Sequence, residues 1–194
     1  MEADANSADR ATEGIGVIVV GIDPGKKGAL AALHKDGKVE LTPMPIIAAS
    51  VKKGKKKGRD EYNLTEIRAT FFGWNLGAIG ADVERLFVMI EKSQPMPPKM
   101  PGGGIANYHR GVARGFEWML AGMGIPYQLV APQTWQKAMH AGTPRADTKQ
   151  RSIIAAQRLF PSVSLKRTQR SRKDDDGMAE ALLIAEFGRR TRIA

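Results

Sequence analysis

The amino-acid sequence predicts an α/β domain, a five-stranded mixed sheet flanked by helices. Three observations carry this. Two short runs, Gly16 to Ile22 and Arg85 to Ile90, are apolar at nearly every position, as in strands covered on both faces. Asp36-Gly37 between two apolar stretches is a hairpin signal. Beyond residue 85, strand-like and helix-like segments alternate, which argues for helices on both faces of the sheet.

Each element follows in order. Gly16 to Ile22 is the first strand, ended by the turn Asp23-Pro24-Gly25. Gly28 to Leu33 and Lys38 to Leu41 flank the Asp36-Gly37 turn and complete a meander. Thr42 to Asp60 reads as a mobile loop. Its Gly-spaced basic run, Lys52 to Arg59, can grip phosphate or simply stay solvated. Asn63 to Leu76 is partly helical with Asn63 as cap, and Arg85 to Ile90 is a buried strand ending in Glu91. A Pro-, Met- and Gly-rich loop, Ser93 to Gly104, precedes a helix with Ile105, Tyr108, Val112, Phe116 and Met119 at helical spacing. Gly124-Ile125-Pro126 closes it, and Tyr127 to Val130 is the fifth strand. Helices around Thr134 to His140 and Thr148 to Phe160, a basic loop over Leu165 to Lys173 and a last helix from about Asp175 to Arg189 finish the chain. The organisation is a leader over 1–14, one folded unit over 15–190 and a tail over 191–194. No internal repeat is visible.

The 194 residues suffice for one hydrophobic core, and 42% hydrophobic with 26% charged residues is ordinary for a globular chain. The charge balance is not ordinary. Thirty Lys and Arg against twenty Asp and Glu give +10, which favours a polyanionic partner such as nucleic acid. With no cysteine there is no disulfide, thiolate zinc site or cysteine nucleophile. His34, His109 and His140 show no metal-ligand spacing and read as ordinary surface or helix residues. The polar, acidic start resembles neither a secretory signal nor a transit peptide, and no apolar run reaches membrane-spanning length. The expectation is a cytoplasmic protein without membrane partners, of a bacterium or phage-infected cell, or of an organelle if a transit peptide was removed.

The carboxylates carry the chemistry. Asp23 and Glu91 each stand at the carboxyl end of an apolar strand, the edge where open α/β sheets build sites. The segment Asp176 to Ala185 is apolar around almost its whole circumference, except that Glu180 interrupts it one turn after Asp176. Capping by negative charge at a helix N-terminus accounts for Asp174 and does not account for Glu180. Four converging carboxylates suit hard divalent ions with oxygen ligands, Mg²⁺ with Mn²⁺ as substitute, rather than zinc. Two such ions, about 3.5–4 Å apart, can clamp the attacking and leaving oxygens of a phosphodiester displacement.

Gly21-Ile22-Asp23-Pro24-Gly25, then Ile90-Glu91, then Asp176 to Ala185 resemble the ordered acidic motifs of RuvC-type Holliday junction resolvases, of the ribonuclease H-like superfamily. Val130-Ala131-Pro132-Gln133-Thr134-Trp135-Gln136-Lys137 resembles the segment those proteins carry between their second and third motifs. The resemblance spans Gly16 to about Arg190 and is nearest to the phage and bacterial branch, with chloroplast resolvases as cousins. It implies a ribonuclease H-like fold, a homodimer, and paired Mg²⁺-dependent nicks in four-way DNA junctions during recombination and repair. It makes Asp23 the central metal ligand, Glu91 the second, and Asp176 and Glu180 the helix pair.

Two departures matter. Asp175 stands where many relatives have a histidine, and it either takes a ligand role or caps the helix. No aromatic wedge follows Glu91, only Met96 and Met100, which can wedge between bases or pack within their loop. Candidate DNA contacts are Lys92, Lys99, Arg110, Arg114, Lys137, Lys166, Arg167, Arg170, Arg172 and Lys173. The competing readings are another ribonuclease H-like nuclease (a ribonuclease H or an integrase-like enzyme), and a junction-binding protein without catalysis. An actin-like ATPase needs two such lobes, and one is present.

Overall fold

A computed structural model describes residues 16–49, 60–76, 85–93 and 103–193, with side chains throughout except at 75–76, 103–110 and 193. The expected leader, the Lys52 to Arg59 run, and Met96, Lys99 and Met100 lie outside the described residues, as does the side chain of Arg110.

Strands β1 (Val17–Ile22), β2 (Ala29–Leu33) and β3 (Val39–Pro43) form the meander. Short β4 (Ile46–Ile47) and β5 (Glu61–Tyr62) come next, then α1 (Leu64–Leu76), β6 (Arg85–Glu91), α2 (Gly103–Gly122) and β7 (Tyr127–Val130). Helices α3 (Pro132–Met139), α4 (Thr148–Leu159) and α5 (Asp176–Ile193) follow. The main sheet has the order β3-β2-β1-β6-β7. Its first three strands are antiparallel to one another, and β6 and β7 continue from β1 in parallel. This is a five-stranded mixed sheet in an α/β arrangement, as the sequence predicts.

Alternation along the strands divides the core in two. Ile18, Val20, Ile22, Leu86, Val88 and Ile90 face α1 and α2, packing with Ile67, Phe71, Trp74, Phe116 and Leu120. Ala29, Ala31, Leu33 and Met89 face the other way, with Trp135 and Met139 of α3, Ala155 and Ala156 of α4, and the apolar faces of α5. Both faces of β1 and β6 are thus covered, which is why their sequences are apolar without alternation.

Local chemistry sets the helix ends. Asn63 Oδ1 accepts from Glu66 N at 3.1 Å and its Nδ2 donates to Glu66 Oε2 at 2.9 Å, a reciprocal cap at the expected residue. Asp147 caps α4 by accepting from the amides of Lys149 and Gln150, each at 3.1 Å. Gly124 closes α2 at φ 67°, a left-handed conformation that favours glycine.

Two boundaries differ from expectation. The ends of the Thr42 to Asp60 loop are tied down, because β4 pairs antiparallel with β5. Tyr62 adds an anchor, its hydroxyl donating to the Pro24 carbonyl at 3.0 Å. The last helix runs through Ile193, so most of the supposed tail is helical.

Small residues bring α5 onto the sheet. A Cβ at Gly21 would overlap Ala181 O and Ala185 N and lie 2.9 Å from Ala185 Cα. A Cβ at Gly188 would come within 3.1 Å of Val19 Cγ1 and 3.2 Å of Met89 Cβ. Helix and strand backbones therefore touch at Gly21. Because backbone cannot step aside cheaply, Gly21→Ala should lower stability by at least the ~1–3 kcal/mol typical of overpacking. Gly73→Ala, in open space on α1, should instead gain about 0.5–1 kcal/mol. Urea denaturation of the two variants checks this; matching midpoints would disprove the close contact.

Candidate active site

The parallel pairing of β1 with β6 sets Ile22 opposite Ile90, so Asp23 and Glu91 leave neighbouring strand ends side by side. Asp23 lies two residues beyond Gly21, and Glu91 two beyond Met89. Alternation thus turns both toward the face covered by α5. The turn after β1 holds Asp23 closely: its Oδ1 accepts from Gly25 N at 3.1 Å, and its own amide donates to Ala29 O at 3.2 Å. Gly28 makes room, since a Cβ there would lie 2.6 Å from Asp23 Cγ.

Helix α5 brings the other carboxylates. At its N-terminus Gly177 rests on the Lys27 carbonyl, leaving no room for a Cβ. Asp176 sits in the first turn, and its Oδ2 pairs with Lys149 Nζ of α4 at 2.6 Å. Glu180, one turn on, accepts from Ser152 Oγ at 3.2 Å. Glu91 Oε2 accepts from the indole nitrogen of Trp135 at 2.8 Å.

Asp175 has a different setting. Its Oδ1 caps α5 by accepting from Met178 N at 3.0 Å and pairs with Arg167 Nη1 at 3.1 Å. Arg167 also donates to the carbonyls of Lys27 at 2.6 Å, Lys26 at 3.2 Å and Gly28 at 3.2 Å. One guanidinium thus ties the turn beside Asp23 to the start of α5. Among the alternatives left open by the sequence, these contacts favour capping for Asp175.

The electrostatics mark the cluster. Asp23, Glu91 and Glu180 each keep some solvent contact, but dense surroundings and like charges oppose their ionisation. Burial, together with the charges of Asp176 and Asp175, pushes Asp23 up to about 6 against the Gly25 hydrogen bond and the Arg167 charge. Burial and Asp23 push Glu91 up to about 7, against the Trp135 hydrogen bond. Burial, then Asp23 and Glu91, push Glu180 up to about 8. Glu91 thus feels the charge of Asp23, and Glu180 feels both, across three separate elements.

Carboxylate oxygens that repel one another are the donor set a hard divalent cation neutralises. Asp23, Glu91, Asp176 and Glu180 fit such an ion in donor chemistry and in placement on the fold. Among the described residues, however, no group of three or more His, Asp or Glu is arranged to hold a metal ion as the side chains stand. Glu91, Glu180 and Asp176 each bond a different neighbour: Trp135, Ser152 and Lys149. Loading would require Asp176 to leave Lys149, while the bonds to Trp135 and Ser152 each engage one oxygen of Glu91 and of Glu180.

The basic candidates divide. Lys92 is exposed directly after Glu91, Lys137 is exposed on α3, and Lys166, Arg170, Arg172 and Lys173 are exposed on the loop before α5. Arg114 is exposed on α2, which covers the opposite face of the sheet, and pairs with Glu117 at 3.3 Å. The Arg167 guanidinium is engaged on the turn.

Sequence reasoning gave no role to Trp135, Ser152 or Lys149. Trp135 sits in the segment singled out between the acidic motifs, but nothing local tells its partner. Of the surface and helix readings for His140, the surface one does not hold: it caps the C-terminal end of α3, is 3% exposed, and its Nε2 lies 3.0 Å from Ser152 Oγ.

No family model matches the chain, and no curated protein matches it. Among solved structures it is similar to that of Thermus thermophilus RuvC, at 15% identity and a TM-score of 0.44, covering 91% of this chain and 97% of that one. It is similar as well to T. thermophilus RuvC in complex with Holliday junction substrate, at 16% identity and a TM-score of 0.45, covering 90% and 96%.

Raised carboxyl pKa values have a signed consequence. The folded state holds these protons more tightly than the unfolded chain, so their stabilisation is full below about pH 4 and lost as pH rises through about 6 to 8. His140 opposes this trend below its ordinary 6.5, because burial lowers its pKa. Above 6.5 the Glu91 and Glu180 contributions act without it. Metal-free protein should therefore lose melting temperature between about pH 6.5 and 8, and Glu180→Gln should flatten the loss. An unchanged slope in the variant would show that Glu180 is not the group concerned.

Proposed function

We propose that this chain is a divalent-metal-dependent endonuclease of branched DNA that nicks four-way junctions in the manner of RuvC-type resolvases. The observation that carries the nuclease reading is the carboxylate cluster: Asp23, Glu91 and Glu180, from three separate elements, each raised by burial and by the charge of a neighbouring carboxylate. Such an arrangement is destabilising unless a cation resolves it, and a chain of net charge +10 brings such a cation to a polyanion. The junction preference rests on the ordered acidic motifs.

Asp23 would be the shared ligand, Glu91 and Glu180 would flank it, and Asp176 would join on release from Lys149. Bound Mg²⁺ or Mn²⁺, proposed as two ions, supplies Lewis acidity at the scissile phosphate and activates the attacking water. The chain's own part is orientation. The turn held by Arg167 fixes Asp23, and β6 fixes Glu91 beside it. Helix α5 sets Glu180 and Asp176 one turn apart along its surface. Lys92, Lys137, Lys149 and the exposed cations over 166–173 supply positive charge for the DNA backbone. A homodimer belongs to this reading. Exposed Leu64 and Trp118, together with an apolar groove of about 710 Å³ between α1 and α2, support a protein contact on the face away from the carboxylates.

The test is cleavage of a labelled synthetic four-way junction in Mg²⁺, with linear duplex and RNA–DNA hybrid alongside. Wild type should nick the junction symmetrically and spare the others. Asp23→Asn should lose more than about 100-fold in rate, beyond the 10–100-fold usual for residues that only support a ligand. Its junction binding should survive and weaken steeply with salt. Equal cutting of duplex or hybrid would favour a general nuclease. Tight binding with no cutting in Mg²⁺ or Mn²⁺ would leave a junction-binding protein.

A further inference from the structure

Two of the four carboxylates are joined by an unbroken chain of side-chain contacts through α3 and α4. Glu91 accepts from Trp135 Nε1 at 2.8 Å, and the Trp135 ring meets the His140 ring edge-on at 5.7 Å between centroids and 79° between planes. His140 Nε2 lies 3.0 Å from Ser152 Oγ, which lies 3.2 Å from Glu180 Oε1. Trp135 and Ser152 are fully buried.

The connection between the helices is pinned as well. Thr143 Oγ1 donates to the His140 carbonyl at 2.6 Å. Arg151 reaches the same carbonyl through Nη2 and Thr143 Oγ1 through Nε, both at 3.1 Å. Proton bookkeeping gives the chain a direction. The Ser152 hydroxyl has one proton and two acceptors in reach, Glu180 and the Thr148 carbonyl at 3.1 Å. When that proton goes to Glu180, the His140 tautomer protonated at Nε2 can donate to Ser152 Oγ and complete the chain.

We infer that the α3–α4 unit is an orienting bracket, in which Trp135 and Ser152 are positioning residues for Glu91 and Glu180 and His140 couples them. The need for it is geometric. Glu91 and Glu180 are long side chains with three rotatable bonds each, and they repel. A donor on one oxygen fixes the rotamer and leaves the second oxygen for a ligand. A rigid indole and a buried hydroxyl do this without adding a competing charge. The bracket's value to catalysis rests on the nuclease reading; its grip on the carboxylates does not.

The experiment separates the two. In ¹⁵N-labelled, metal-free protein the three tryptophans, Trp74, Trp118 and Trp135, give three indole resonances. Glu91→Gln should shift that of Trp135 and leave the others. In wild type Mg²⁺ should shift it and Mn²⁺ should broaden it. Trp135→Phe keeps a ring and loses the donor; Ser152→Ala loses the hydroxyl. Each should weaken Mn²⁺ binding, read by electron paramagnetic resonance, by about 10–100-fold. Each should lower kcat on the junction to a similar degree while KM stays the same. A Trp135 resonance indifferent to Glu91→Gln overturns the inference. Folded Trp135→Phe with wild-type Mn²⁺ affinity and kcat overturns it equally. Wild type that fails to cut, with the Glu91-dependent shift intact, overturns the nuclease reading and leaves the bracket standing.

Discussion

The contact between α5 and β1 at Gly21 is the constraint on which the rest of the molecule turns. A helix normally rides on a sheet at the height of its side chains. Here Gly21 on the strand and Ala181 and Ala185 on the helix let the two backbones meet, while Gly177 rests on the Lys27 carbonyl of the turn and Gly188 packs against the Val19 and Met89 side chains. Lowering the helix lowers everything attached to it. Glu180 stands one residue before Ala181, so its height above the sheet is set by the Gly21 contact. Had Gly21 been any larger residue, Glu180 would ride away from Asp23 and Glu91, and the electrostatic coupling among the three would fade. Small residues give up apolar burial at this seam. Met178, Leu182, Leu183 and Ile184 recover it on the other faces of α5, each at most 3% exposed, at roughly 25 cal/mol per Å² of apolar surface removed from water.

The price of such a seam is a concentration of negative charge in packed surroundings. The fold manages it by local hydrogen bonds rather than by separating the charges. Lys149 pairs with Asp176, Arg167 steadies Asp175 and the turn, and Trp135 and Ser152 each steady one glutamate. What remains unbalanced is visible in the raised carboxyl pKa values. Sites that hold a group in an unfavourable state for the sake of chemistry characteristically cost stability.

Much of this was legible in the sequence because burial of charge is costly and leaves a mark. Glu180 inside an apolar helix, and Asp23 and Glu91 ending apolar strands, stand out wherever one expects only core. The meander, the Asn63 cap and the alternation of strands and helices follow from local periodicity and capping, and the structure reproduces them. The β4–β5 pairing did not show, because two-residue strands carry no period. The role of Gly21 was hidden within an ordinary apolar strand, since close approach depends on what arrives from 160 residues later. Trp135 and Glu91 are 44 positions apart, and His140 with Ser152 depends on how α3 and α4 fold back, so their partnerships are tertiary facts. Arg167 looked like one cation among several in a basic loop; its bonds to three carbonyls belong to a turn 139 to 141 positions away.

The diversion of Arg167 also bears on how a polyanion could approach. A carboxylate cluster repels phosphate, and the interaction energy of unit charges 4 Å apart rises from about 1 kcal/mol in water to about 4 kcal/mol near a protein surface. A net charge of +10 spread over the molecule does not cancel this locally. What can do so is positive charge held at the same end of the sheet. Lys149 is already there, on Asp176, and Lys92 follows Glu91 directly. On the nuclease reading, a bound divalent ion would relieve the carboxylates and release Lys149 from Asp176 at once. Metal loading would then convert that end of the sheet from one that repels a phosphodiester into one that receives it, which couples binding of DNA in the reactive register to the presence of the ion.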